Sequence, residues 1–367
     1  MKLICSKSNL LQGVNIVSKA VPSKTTMSIL ECILIDATTG EIKLTANDME
    51  LGIETKIQGD IINRGIVAID AKIFSEIIRK LPDNDVYIET DENFVTTITC
   101  EKAIFKIAGK SGEDFSYLPV VEKNKYIYMS QFTLKETIRQ TIFSIADNNV
   151  SNSVIMTGEL FNISQNQLEV VSSDMHRISI RRVELKDSFD DIKVIVPGKT
   201  LSEIIKILNG GMDDEVRIFF TKNHIVFEFD DTVVVSRLIE GDFLRVNQII
   251  SNDFETKIGI NKKEFLSCIE RATLLVKEND RKPIIINITD GELELKISSI
   301  LGSMNENIDI SKDGKDIIIG MDPKFLIEAL KVIDDEEINL YFVNQKAPCY
   351  IKDKDNKYIY LILPVNI

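Results

Sequence analysis

At 367 residues the chain is long enough for two or three domains, each burying its own core. Its 44% hydrophobic and 28% charged residues are those of an ordinary soluble globular protein, and no apolar run approaches the roughly 18 residues that cross a bilayer. A formal charge of −13 argues, for the chain taken whole, against nucleic acid, because phosphate attracts cations.

The opening Met1-Lys-Leu-Ile-Cys-Ser6 has neither the apolar stretch nor the cleavage site of a signal peptide. Five cysteines, an odd number spread from Cys5 to Cys349, offer no close pair and no disulfide framework. The expectation is a reduced, cytoplasmic protein without a membrane partner.

Apolar residues at three- and four-residue spacing (Leu10, Leu11, Val14, Val17) predict a first helix over 7–21. Thr39-Gly40 signals a turn, and 41–45 alternates as a strand does. A β-branched run, Ile66 to Ile69, leads into a second helix in Asp70-Ala-Lys-Ile-Phe-Ser-Glu-Ile-Ile-Arg-Lys-Leu81.

The same order returns twice. Leu134, Ile138, Ile142 and Ile145 predict a helix over 132–146, and Gln165-Asn166 a turn before an alternating run. Ile192 to Val196 then precedes the helix of 197–208. Phe265, Cys268, Ile269 and Ala272 predict a helix over 261–277, Asp290-Gly291 a turn, and Ile317 to Ile319 leads into 321–331. Phe74, Leu201 and Phe325 are 127 and 124 residues apart; Ile42, Leu168 and Leu293, on the strands, are 126 and 125 apart. Two landmarks agreeing on one period identify a threefold repeat of whole domains. Polar stretches at 121–125 and 250–254 divide the chain into 1–124, 125–252 and 253–367. Tight turns between neighbouring strands favour antiparallel sheets, and the fold class is α+β, each domain two helices packed on antiparallel sheet.

Charge is segregated along this pattern. The six helical segments sum to +8, leaving −21 on strands and loops. Lysine and arginine are good helix formers on any solvated face, so the segregation alone carries no function. It becomes informative if all six helices share one surface.

Chemistry is sparse. Gly198-Lys-Thr200 imitates the end of a phosphate-binding loop, but position 193 is Lys and Val194-Ile-Val196 reads as strand, so no nucleotide site is assigned. His176 and His224 are the only histidines, and no acidic cluster has calcium-loop spacing. Asp174 and His176 would share a face on an extended backbone, yet no nucleophile accompanies them. No catalytic residue, metal ligand or cofactor is assigned. The rival readings are a nuclease with scattered carboxylates and an acidic scaffold that binds only proteins.

The segment Ser172-Ser-Asp-Met-His-Arg-Ile178 resembles the TDGHRL signature of the bacterial DNA polymerase III beta subunit family, the sliding clamps. Thr45-Ala-Asn-Asp-Met-Glu-Leu51, Gly112-Glu-Asp-Phe-Ser-Tyr-Leu-Pro119, Leu238-Ile-Glu-Gly-Asp-Phe243 and Tyr360-Leu-Ile-Leu-Pro-Val-Asn-Ile367 are similar to four further family segments, in order along the chain.

The resemblance implies three DNA-clamp domains per subunit and a head-to-tail dimeric ring, with helices lining a hole for double-stranded DNA and acidic sheets outside. Such a ring holds DNA without sequence readout. It implies a non-catalytic processivity factor that a clamp loader opens, and that tethers the DNA polymerase III alpha subunit and other proteins carrying a clamp-binding motif. Positions matching DNA-facing ones are Lys24, Lys72, Arg79 and Lys199; Gly198 stands where relatives often have a basic residue. Positions matching the partner-peptide pocket are Met156, Ser173, Met175, His176, Arg177, Ile178, Leu244, Gln248, Ile249, Leu361, Ile362, Leu363, Pro364 and Val365. Leu244 replaces a usual Pro and Gln248 a usual Arg. Methionines and aliphatics suit an adaptable apolar pocket. His176 is read as an orienting hydrogen-bonder. At the dimer seam, Phe105 and Ile107 match one side and Leu274 and Leu275 the other.

Overall fold

A computed structural model of the chain describes residues 1–147, 153–251, 253–276 and 282–366. Among these are six α-helices, two per repeat: α1 (Lys7–Val17), α2 (Ala71–Lys80), α3 (Gln131–Arg139), α4 (Gly198–Ile207), α5 (Lys262–Thr273) and α6 (Pro323–Val332). Side-chain caps set several of the starts. Ser6, Asp70, Asn261 and Asp322 accept hydrogen bonds from the backbone N–H groups of Asn9, Ile73, Glu264 and Lys324, each cap contributing about 1 kcal/mol.

Three helices end earlier than expected, α5 at Thr273 and two others through hydroxyl contacts. Ser18 Oγ donates to the Val14 carbonyl at 2.6 Å and the chain tightens into a 3-10 turn over Ser18–Ala20. Thr141 Oγ1 donates to the Thr137 carbonyl at 2.9 Å, and a 3-10 turn over Ile142–Ser144 takes the place of the last helical residues expected there. Hydroxyls that bond back onto the preceding turn loosen a helix end in this way. Lys277, at the end of the expected fifth segment, and Asn252, in the second boundary stretch, lie outside the described residues.

By packing, the described chain forms two units, one of residues 1–134 and 203–238, the other of 135–202 and 239 onward. The first holds one antiparallel sheet of thirteen strands. Within it Thr232–Arg237 pairs with Leu51–Ile57, Val234 opposite Ile53. Strand Ala103–Ser111 pairs with Val95–Cys100 through 103–108, and with Ile66–Asp70 only through 109–111. Helix α1 buries Leu10, Val14 and Val17, and α2 buries Phe74, Ile77 and Ile78.

The second unit holds a seven-stranded and a four-stranded antiparallel sheet. The seven-stranded sheet runs from Gly158–Ser173 and Arg177–Pro197 through Tyr358–Ile362, Cys349–Lys352, Glu337–Phe342 and Thr256–Asn261 to Ser311–Gly314. Its strands alternate. Ile258, Leu340, Phe342, Cys349, Ile351, Tyr360 and Ile362 join the core of α5 and α6, while Tyr350, Ile359, Leu361, Ile178 and Ile180 join a second cluster with Met156, Phe243 and Val246. Each buried aliphatic or aromatic side chain contributes about 1.5–3 kcal/mol.

Gly40 and Gly291 hold φ of +94° and +80° with open space around them, as their turns require. Gln165-Asn166 is not a turn joining separate strands. The chain continues as one strand, Gly158–Ser173, with register shifts on both sides of Gln165, which takes φ +54°. From Ile163 opposite Ile192 to Gln167 opposite Glu184 the partner strand runs four residues longer, a bulge on Arg177–Pro197.

Glu159, on that strand, is wholly buried, and neither carboxylate oxygen has a hydrogen-bond partner among the described residues. Burial pushes its carboxyl up to about 8; Thr141 opposes the rise only in part.

Candidate functional site

The turn from Ser173 to Arg177 is built by local hydrogen bonds. Asp174 Oδ1 accepts from the backbone N–H groups of His176 and Arg177, each at 3.0 Å. Ser173 Oγ accepts from the Met175 N–H at 3.2 Å and donates to the Arg177 carbonyl at 2.9 Å. Met175 takes φ +73° at the tip and is 60% exposed. Asp174 and His176 therefore do not sit on an extended backbone as the alternation suggested. The aspartate is occupied with turn N–H groups and with Arg177 Nε at 3.0 Å.

Arg177 is buried. Its guanidinium pairs with Glu328 of α6, donates to the Phe143 carbonyl, and lies 4.5 Å and 5.3 Å from the ring centroids of Phe325 and Phe143. A desolvated cation between two ring faces, with two carboxylates and a carbonyl as acceptors, is satisfied on every side. It is a strut beneath the surface. His176 stacks on Phe325 at 6.3 Å between centroids and 20° between planes, and its carbonyl accepts from the Leu363 N–H at 2.9 Å.

These contacts bring the turn, the start of α6 and the C-terminal strand together around a cavity of about 320 Å³. His176, Asp322, Phe325, Leu363, Pro364 and Val365 line it, with Lys282, Pro283 and Asn366 at its edge. Leu363 and Val365 on its wall, and Met175 next to His176, are exposed apolar side chains, as expected of a binding surface.

The sequence-derived positions thus separate. Met175, His176, Gln248, Ile249, Leu363 and Val365 are exposed, with Leu244 and Pro364 half-buried. Met156, Ser173, Arg177, Ile178 and Leu361 are buried beneath them. Ile362 belongs elsewhere: strand alternation turns it to the helix side, into the core of α5 and α6. Phe325 and Asp322, both on the cavity wall, were missed as site residues. Phe325 had served only as a repeat landmark, and nothing local in the sequence ties it to Arg177, 148 positions away.

The basic positions lie on helices and loops. Lys24 is exposed between the first 3-10 turn and strand Cys32–Asp36. Lys72 and Arg79, seven residues apart on α2, are exposed on one helical face; Arg79 also bonds Glu76 at 2.8 Å. Lys199 is exposed in the first turn of α4. Gly198 is buried, and a Cβ there would meet Ile145 Cδ1 at 2.3 Å and the Thr157 carbonyl at 2.8 Å. No basic side chain fits at this position without moving its neighbours.

Among the strand edges left open in the described residues, two lie beside the sequence-derived seam positions. Residues 103–108 lack a partner on the side away from Val95–Cys100, and there Ile104 and Phe105 are 65% and 38% exposed. In the second unit, Gly302–Asp309 is the edge of its sheet, paired only with Glu292–Ser299. Leu274, at the end of α5, is 77% exposed, while Leu275 is partly buried against the core.

Family models of the DNA polymerase III beta subunit match three successive stretches: the N-terminal domain at 1–119, the central domain at 128–244 and the C-terminal domain at 247–366. The beta sliding clamp of Staphylococcus aureus strain Mu50 is 32% identical over 376 residues, covering 100% of this chain and 99% of that protein. The chain belongs to the bacterial sliding-clamp family. A crystal structure from Eubacterium rectale is 68% identical, with a TM-score of 0.97, covering 100% of this chain and 99% of that one. The DNA polymerase sliding clamp of Bacillus subtilis is 31% identical at a TM-score of 0.96, with the same coverage. Sliding clamps are non-catalytic processivity factors of DNA replication, and the three-domain antiparallel architecture expected from the repeats is the clamp architecture. Membership of this family excludes the nuclease reading. No described helix is long and apolar enough to cross a membrane.

Proposed function

We propose that two copies of this chain close head to tail into a ring around double-stranded DNA, and that the His176–Phe325–Leu363 cavity docks short apolar peptide segments of the replicative polymerase and other partners. The observation that carries the ring is the pair of open edges. The 103–108 edge, with Phe105 and Ile107 on one strand face, is free on one unit, and the Gly302–Asp309 edge beside Leu274 is free on the other. An unpaired apolar edge invites pairing with another chain, and joining these unlike edges twice in a symmetric dimer covers both of them on each copy. Clamp loading by a separate ATP-driven complex follows, since the Gly198-Lys-Thr200 stretch opens a helix directly from a strand and forms no nucleotide loop.

The basic faces of α2 and α4, through Lys72, Arg79 and Lys199, together with Lys24, would meet phosphates weakly and without sequence preference. The cavity reading rests on exposed Leu363 and Val365 on the cavity wall and on exposed Met175 at the tip of the ordered turn.

Sedimentation of Phe105→Arg tests the ring: dimers should give way to monomers, and retention on nicked circular DNA should vanish. A stable dimer in that variant would overturn the seam. Titrating Met175→Glu with a leucine- and phenylalanine-rich pentapeptide tests the cavity, and unchanged affinity there would overturn it while leaving the ring intact.

A further inference from the structure

On the helix-averted face of the seven-stranded sheet, the apolar cluster beneath the cavity does not end at Tyr350. The Tyr350 hydroxyl donates to the Ile249 carbonyl and accepts from the Ser251 N–H, both at 3.2 Å, and its ring meets Phe254 edge-on at 5.3 Å. Phe254 packs on Tyr341 at 4.9 Å. Over these two rings sits Lys352, its Nζ 4.6 Å from the Phe254 centroid and 4.9 Å from that of Tyr341; Lys257 Nζ lies 5.6 Å from Tyr341. Ile249, an exposed position among those matched to the partner-peptide pocket, thus leads through three aromatic rings to two ammonium groups.

Neither lysine has a carboxylate partner among the described residues. Asp313 stands opposite Lys257 in register without forming an ion pair, and Asp353, next to Lys352, accepts from the Tyr358 N–H instead. Lys352 is half-buried, and burial lowers its ammonium below the ordinary lysine range. In a chain of net −13, a partly desolvated cation held on rings with no counter-ion is a place where an anion would be gained cheaply. A solvated surface lysine offers no such gain.

We infer that Lys257 and Lys352, on the Phe254–Tyr341 platform, receive acidic side chains flanking the apolar peptide that docks in the neighbouring cavity. This rests on the peptide-docking reading above. The platform supplies a second, charge-selective contact that ranks partners sharing the same apolar anchor, and it is linked to the cavity through Tyr350, which stands opposite Leu361, two residues before the cavity-lining Leu363.

The test uses the full-length dimer and three synthetic peptides: the leucine- and phenylalanine-rich pentapeptide alone, and the same peptide with three aspartates added at either end. One tailed peptide should bind about fivefold more tightly at low salt, with the gain fading as salt is raised. Lys257→Gln/Lys352→Gln should abolish that gain and leave the tail-free affinity unchanged. A gain that survives the double substitution, or no gain with either tail, overturns the proposal. So does oligothymidylate that displaces the tailed peptide as well as a free aspartate peptide does, since the platform would then be a nucleic-acid site. Failure of the tail-free peptide to bind at all strikes the cavity reading; the lysine pair is then judged by whether an aspartate hexapeptide shifts the Lys352 side-chain resonances, and no shift overturns it.

Discussion

The Arg177 guanidinium carbon lies 4.5 Å from the centre of the Phe325 ring, with His176 stacked on the same ring. One aromatic side chain from the start of α6 is thereby fixed by two consecutive residues of a turn that comes from another repeat. The cavity wall is held from behind by a cation, and its shape depends on groups a docked peptide would never touch.

Truncating Arg177 to alanine removes the strut and leaves Glu328 and Asp174 short of their partner. Breaking a buried ion pair costs about 3–5 kcal/mol. The urea midpoint should fall accordingly, and peptide affinity should fall with it even where the protein remains folded.

Phe325→Ala separates the two roles. It removes one ring from the guanidinium and the stacking surface from His176, yet leaves both ion pairs of Arg177 in place. Calorimetric titration should show peptide affinity reduced by about tenfold or more, the size expected when a central aromatic anchor is lost. Sedimentation should be unchanged.

Glu159 makes stability depend on pH. Its carboxyl is raised to about 8 in the folded chain, so between the ordinary carboxylate value and about 8 the folded state holds a proton that the unfolded state has released. Stability is then fully present at acid pH and declines as pH rises through that window, by up to about 1.4 kcal/mol per pH unit. Denaturation of Glu159→Gln between pH 5 and 9 should lack this decline, and the variant should exceed the parent most clearly above pH 8.

Gly198→Ala places a methyl group 2.3 Å from Ile145 Cδ1 and 2.8 Å from the Thr157 carbonyl. The side chain can yield but the backbone oxygen cannot, so a loss of about 1–3 kcal/mol is expected in thermal or urea melts. A basic residue introduced to strengthen DNA contact should fail here for the same reason.

Lys72→Ala, on the exposed face of α2, should leave melting and sedimentation as they are. Retention on circular DNA should weaken uniformly across sequences, with the salt dependence shallower by about one counter-ion. A sequence-dependent change would contradict backbone-only contact.

Much of this architecture was readable from residue order because the helices repeat a three-to-four spacing and the strands alternate, three times over. Leu10, Val14 and Val17, or Phe265, Cys268 and Ile269, are buried as their spacing required. What failed to show was non-local. The turn at Asp174 read as extended because its conformation is set by hydrogen bonds that backbone N–H groups donate to Asp174 and Ser173, which a hydropathy pattern does not register. Gln165-Asn166 carried an ordinary turn signal, and only its pairing partners show a bulge. Ile362 was counted with Leu361 because both lie in one short segment, although alternation sends them to opposite faces. The cavity itself needed Phe325, which joins His176 and Leu363 only through folding.

The central third of the chain lends strands to two different sheets: Thr232–Arg237 completes a ladder with Leu51–Ile57, while Arg177–Pro197 pairs with Tyr358–Ile362. A fragment excised at the borders of that third would carry both strands away from the backbones they bond. The stretch that repeats along the sequence is therefore not one that can be lifted out and refolded alone, and hybrids between relatives should be joined within unpaired loops of a single unit.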